Sequence, residues 1–291
     1  MGGTVLNHLK TVVLLAVMTG LILTAGYAIG GPRGVMIALV IAGISNVVGL
    51  FMGDKIAIAS MQAQEVGPEH ELYRITEKLA QRAGMPMPRV YVSPHAAPNA
   101  FATGRGPRSA AVCATAGLLQ VLDKNEIAGV MAHELAHVKH RDILIQSVAA
   151  TIGGAISFLG NMMMWQSMFG GHDDEENDSP FGAIGAILLM ILGPIAAAVI
   201  QMAISRQREY AADTEGGRLA GDPMYLATAL EKIHIGAARV PMQVNPAMNA
   251  MMIAEPMSIG SRMANLFATH PRLEDRLVNL IGRESTGRRY Y

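Results

Sequence analysis

Four long apolar runs dominate the chain. Residues 9–29 are nearly continuous apolar sequence with Lys10 near the start, and residues 35–52 are apolar again after the break Gly30-Gly31-Pro32-Arg33. Asp54 and Lys55 close that second run. Residues 143–169 form a third run containing Gly153, Gly154 and Gly160, and residues 181–204 a fourth containing Pro194. Each approaches the ~20 residues that a helix needs to cross a bilayer. Glycine and proline are tolerated inside membrane helices, where neighbouring helices approach closely. The pattern therefore predicts four membrane helices in two hairpins. A secretory signal is excluded for the first run, because a second span follows directly and signal cores are only ~7–15 residues long. The second pair also exceeds the ~10–14 residues typical of globular helices, which argues against a buried soluble hairpin.

The patterning between these runs is of a different kind. Over residues 69–83, Leu72, Ile75, Leu79 and Ala80 recur on one helical stripe, and the Gly84-Met85-Pro86-Met87-Pro88 stretch ends it. Residues 89–93, 99–103 and 109–115 read as short strands, the last two joined by the turn Gly104-Arg105-Gly106-Pro107. A small antiparallel sheet is expected. Asp123 and Glu126 have capping-box spacing and open a helix through His140. Residues 231–238 continue a further helix, and the methionine-rich stretch 240–268 reads as a long loop. Its methionines suit either a plastic substrate surface or plain packing. The domain organisation is an N-terminal transmembrane hairpin (1–54), a first part of a soluble domain (55–142), a second hairpin (143–204) and a second part of that domain (205–291).

Composition agrees with this division. The 291 residues are 51% hydrophobic and 16% charged, whereas soluble domains carry about 25% charged residues. The net charge is zero, and no basic tract argues for nucleic acid. Lys139, Arg141, Arg206 and Arg208 flank the second hairpin on one side. Arg33 is the one basic residue in either turn on the other side, and the 170–180 turn is acidic. The positive-inside bias puts the soluble domain and both termini in the cytoplasm. Cys113 is the single cysteine, so no internal disulfide forms, and a small buried strand residue is its plain reading.

The chemistry lies in His133-Glu134-Leu135-Ala136-His137. Histidines four apart share a helical face and can reach one ion, while Glu134 can approach a water at that ion as general base. Zinc suits nitrogen and oxygen donors, and a catalytic zinc takes three protein ligands. Glu175 and Glu176 sit in the turn across the membrane, so the first available carboxylate after the hairpin is Glu209. Asp213, four positions on, shares its face and can hold the free N–H of a ligating histidine. His140 falls near the same face as His133; it is either a further group near the metal or an interfacial histidine.

These motifs, with SRQREYAAD at 205–213, Asn-Ala-Phe-Ala-Thr-Gly at 99–104 and Thr-His-Pro at 269–271, resemble the HtpX-type membrane zinc metalloproteases. These are relatives of the CAAX prenyl proteases. The resemblance covers nearly the whole chain; His140 departs from it, standing where asparagine is more usual. It implies a gluzincin-like α+β protease domain with one Zn2+ on His133, His137 and Glu209. It also implies that Asn99, Ala100, Phe101 and Ala102 form an edge strand pairing with an extended substrate, which suits the open backbone groups of a strand edge. A structural turn by Asn99 and Gly104 is the alternative. His270 and Arg276 are implied to lie near the site and steady an oxyanion, a role open to Tyr210 as well, while His270-Pro271 could equally be a bland helix start. The implied function is hydrolysis of misfolded or unassembled membrane proteins at the cytoplasmic face of the inner membrane, in quality control and stress response. Two other readings are prenyl-protease-like processing of lipidated C-termini, for which the spans are too few to build a large chamber, and a non-enzymatic membrane chaperone with structural zinc, which would have no use for Glu134.

Overall fold

The computed structural model describes residues 2–148, 206–240, 252–253 and 271–287. The first helix, α1 (Gly2–Ser60), is two helices merged across a kink at Gly31, whose φ of 56° and ψ of −143° lie outside the helical region. A side chain is strained there, and Pro32 follows at a position where the helical N–H is dispensable. The predicted break between the first two apolar runs therefore falls at Gly31. The two arms are tied by Asn46, whose Nδ2 donates to Thr19 Oγ1 at 2.9 Å.

The second arm, Gly31–Ser60, is long and apolar enough to cross a membrane. Met36, Ile37, Val40, Ile44, Val47 and Phe51 are all exposed along it. An apolar surface of this extent on a single helix needs lipid or protein around it. The first arm contains a shorter apolar helix, Thr11–Thr24. The third run is helical over residues 143–148; the rest of it, and the whole fourth run, lie outside the described residues. Ile145 and Val148 are fully buried in a small cluster with Met18, against which Leu15, Ile22 and Leu50 pack. The start of the third run thus packs on the N-terminal hairpin.

The strands are β1 (Gln64–Glu65), β2 (Arg89–Ser93), β3 (Ala100–Thr103) and β4 (Ala111–Thr115), in the order β1-β2-β4-β3. β3 and β4 form the expected antiparallel hairpin, but β2 and β4 run parallel, and β1 is an added antiparallel edge. The expected antiparallel sheet is therefore mixed. The cause is the 94–99 connection, which carries the chain past the slot beside β2, so that the hairpin folds back and β4, not β3, fills it.

β3 and β4 are buried on both faces. Ala100, Ala102, Val112 and Ala114 belong to the main core with the helices. Phe101, Ala111 and Cys113 face the other way, onto Ala57 and Met61 at the end of α1 and onto Met252. The sheet is thus the layer between the membrane-type hairpin and the helices α2 (Glu71–Ala83), α3 (Ala116–Val121), α4 (Lys124–His140), α5 (Arg206–Ala220), α6 (Pro223–Arg239) and α7 (Leu273–Ile281).

Helix α4 carries the HExxH sequence through the middle of this core. The Asp123 and Glu126 capping box forms as expected, satisfying orphan N–H groups at the helix start. From Ile127 to Val138 nearly every residue is buried. Arg141 closes the helix in the left-handed conformation at φ 61°. α4 packs against α5 so closely that Gly216 sits on the backbone of His133.

Candidate active site

His133 and His137 project from one face of α4 toward α5, where Glu209 lies in the first turn. All three are buried, at 1%, 3% and 2% exposure. Nε2 of His133 is 3.1 Å from Nε2 of His137. The Glu209 carboxylate completes the group, with Oε2 at 3.7 Å from His133 Nε2 and Oε1 at 3.4 Å from His137 Nε2. Ligands at ~2.0–2.1 Å on a tetrahedral ion stand ~3.3 Å apart, so these separations fit a small divalent cation. The donor set, two imidazole nitrogens and one carboxylate, is equally apt. Among the described residues, this is the His, Cys, Asp and Glu group that could hold a metal.

Each histidine is backed by a carboxylate. Asp213 Oδ1 lies 3.0 Å from His133 Nδ1. Asp142 Oδ2 lies 3.3 Å from His137 Nδ1. Each carboxylate is in turn held by an arginine. Arg276 donates from Nε and Nη2 to both oxygens of Asp213, at 2.9 and 2.6 Å. Arg208 donates from Nη1 to Asp142 Oδ1 at 3.4 Å.

The electrostatics differ between the two imidazoles. Burial pushes His133 down to about 4, and the hydrogen bond and charge of Asp213 do not offset it. For His137 burial also lowers the value, but the charge of Glu209, the hydrogen bond to Asp142 and the charge of Glu134 outweigh it and raise it to about 9. Asp213 is held below the ordinary carboxylate value: burial opposes this, and the adjacent Arg276 charge and hydrogen bonds prevail. Arg276, fully buried, is raised: burial works against its charge, but the charge of Asp213 leads the terms that retain it.

Glu134 is buried on the same helix, and its charge raises both His137 and Arg276. Arg276 Nη2 lies 3.5 Å from His133 Nε2. Its donors are largely committed, two to Asp213 and Nη1 to the carbonyl of Ile253 at 3.2 Å. Tyr210 is partly buried next to Glu209. His140 is exposed and outside the donor group. His270 lies outside the described residues, as does most of the methionine-rich stretch.

β3 is an edge strand, but its first position is engaged by the chain itself. Asn99 Oδ1 accepts from Ala100 N at 3.0 Å, and Asn99 Nδ2 contacts Met252 Sδ at 3.3 Å. Ala100 O accepts from Ile253 N at 3.0 Å. Cys113 is buried, and burial pushes its thiol up to about 12, so it offers no thiolate.

Asp142 and Arg208 are not among the candidates named from sequence. Their signal there is faint: an acid five positions after His137, beyond the helix end, and an arginine that also fits a solvated or membrane-flanking role.

The site falls inside a recognised sequence region. The model of Peptidase family M48 matches residues 67–284. A Protease HtpX homolog of Desulforapulum autotrophicum is 49% identical over 276 residues, covering 94% of this chain and 89% of that one. Another, of Burkholderia cenocepacia, is 50% identical over 287 residues and covers 97% and 99%. The crystal structure of S. mikatae Ste24p matches with a TM-score of 0.50 at 21% identity, over 96% of this chain and 67% of that one, a likeness of fold. With both histidines, Glu134, Glu209 and the two Asp–Arg pairs inside the matched region, the chain belongs to peptidase family M48 and is a metalloprotease.

Proposed function

We propose that this metalloprotease is a membrane-embedded zinc endopeptidase that hydrolyses misfolded or unassembled membrane proteins at the cytoplasmic face. The observation that carries the reading is the convergence of His133, His137 and Glu209 beside a buried Glu134, in a domain whose sheet rests on an apolar hairpin.

His133, His137 and Glu209 would hold the zinc ion, which would supply Lewis acidity toward a carbonyl oxygen and a water. Glu134 takes the proton of the attacking water and passes it to the leaving amine. Asp213 and Asp142 keep the two imidazoles turned toward the ion. Arg276 brings a retained positive charge to within reach of developing negative charge. Ala102 lies two positions along β3 from Ala100, so its backbone groups point to the same outer edge and can pair with an extended peptide.

Four apolar runs, the basic residues flanking the second pair and the exposed apolar face of α1 support a multi-pass inner-membrane protein with its site toward the cytoplasm. Single cysteines introduced in the acidic 170–180 turn should react with impermeant reagents from the far side only; reaction from the cytoplasmic side would overturn that topology.

The direct test uses purified full-length protein loaded with zinc. It should cleave an unfolded casein-like substrate, and Glu134→Gln should retain zinc yet lose cleavage. Undiminished cleavage by Glu134→Gln would defeat the base assignment. An unmodified peptide should be cut as readily as a prenylated one; strict dependence on the lipid would favour C-terminal processing instead.

A further inference from the structure

We propose that Asp142, pinned by Arg208, is a positioning residue for His137, and that this pair clasps the two ligand-bearing segments around one metal. The inference rests on the metal site described above but concerns residues outside its ligand set.

The local cause is the end of α4. Arg141 takes the left-handed conformation, so the chain reverses just beyond the helix and Asp142 N donates to His137 O at 3.0 Å. That turn folds the Asp142 side chain back under the last helical turn, with Oδ2 at 3.3 Å from His137 Nδ1. The carboxylate is 2% exposed. A buried carboxylate is costly without charged and hydrogen-bonding partners, and Arg208 supplies one 3.4 Å from Oδ1.

Two consequences follow for the metal. A carboxylate at Nδ1 holds a proton on that nitrogen and turns Nε2 toward Glu209 and His133, where a metal would bind. Arg208 immediately precedes Glu209 and lies 66 residues from Asp142 in sequence. The pair therefore joins the point where the chain leaves the HExxH helix to the point where it delivers the third ligand. The arrangement repeats around the other imidazole, as His133, Asp213 and Arg276. One clasp joins α4 and the turn after it to Arg208 of α5, and the other joins α4 to Asp213 of α5 and Arg276 of α7.

The test measures metal binding, not hydrolysis, on full-length protein in detergent. Zinc affinity is read by chelator competition, and the visible spectrum of bound Co2+ reports ligand geometry. Asp142→Asn keeps shape and removes charge; it should weaken zinc ~10–100-fold and alter the Co2+ spectrum, with Asp142→Glu recovering part of the loss. Arg208→Gln should weaken zinc less, and combining it with Asp142→Asn should add little further. Metal-free thermal midpoints are read in parallel, so that a loss of zinc affinity in the folded protein is separated from a loss of fold. Parental affinity and spectrum in Asp142→Asn would overturn the proposal. So would a fall in metal-free stability with unaltered affinity in the folded fraction, which would make the pair purely structural. Failure of the parent protein to bind either ion would overturn the metal site itself.

Discussion

Gly216 lies directly against the backbone of His133: a β-carbon there would sit 2.9 Å from both its nitrogen and its Cα. Helices α4 and α5 approach this closely because Gly216 has no side chain, and the same approach brings Glu209 within 3.4 Å of His137. Gly216→Ala cannot be relieved by rotating a side chain, because the atoms it meets are main-chain atoms. It should destabilise the protein by about 1–3 kcal/mol, the usual range for an added methyl in a packed core. Because the separated helices carry ligands on opposite sides, zinc affinity should fall as well. Thermal unfolding with and without zinc checks both, and a larger loss in the zinc-loaded form is expected.

The opposite shifts of the two histidines give the metal-free protein a defined pH response. His137, raised from 6.5 to about 9, stabilises the fold fully below 6.5, and that contribution is lost as pH climbs toward 9. His133, lowered from 6.5 to about 4, contributes stability above 6.5 that is lost as pH falls toward 4. For these two groups the metal-free protein should be most stable near pH 6.5 and weaken on both sides. At neutral pH the site holds a proton on His137 that a metal must displace. Zinc uptake near neutrality should release about one proton per site, measured calorimetrically in buffers of different ionisation heat, and the release should fade as pH passes about 9.

The two halves of the candidate metal-binding group were legible in the sequence because each is a local pattern. Histidines four apart on a capped helix must share a face, and an acid pair spaced by four, as in Glu209 and Asp213, presents a ligand and its neighbour together. Strand pairing is not local. Nothing in residues 89–115 dictates that β4 enters between β2 and β3, so the parallel pairing of Val90 with Val112 was out of reach. Asp142 was hidden for a similar reason: its part depends on the left-handed turn at Arg141, a conformation that an arginine does not advertise. The hold of Ile253 on Ala100 joins segments too far apart for any spacing rule.

Cys113 should be chemically silent in the native state. It is fully buried between Phe101, Ala111 and the end of α1, and its thiol is raised to about 12 by burial. Thiolate, not thiol, reacts with alkylating agents. Iodoacetamide should therefore leave activity and mass unchanged at neutral pH and modify the residue only as denaturant unfolds the domain. Mass spectrometry of the native and denatured protein checks this, and the silent background suits the introduced-cysteine mapping of the 170–180 turn.

Arg276 and Asp213 should act as one unit. Both carboxylate oxygens of Asp213 are engaged, at 2.9 Å by Nε and 2.6 Å by Nη2, and the pair is essentially solvent-free at 3% and 0% exposure. Lysine cannot reproduce a forked contact, so Arg276→Lys keeps the charge but releases one oxygen of Asp213 and the carbonyl of Ile253. Removing one member of a buried pair costs about 3–5 kcal/mol, mostly because the other charge is stranded. Arg276→Ala and Asp213→Ala should each fall in that range, with Arg276→Lys milder than Arg276→Ala. The double variant should be no less stable than the worse single one, since no charge is then left alone. Zinc affinity should follow the same order, because His133 loses its support when Asp213 is lost or turned. A double-mutant cycle read by denaturant unfolding and by zinc competition measures both couplings. Additive losses would show that the arginine and the aspartate serve separate ends.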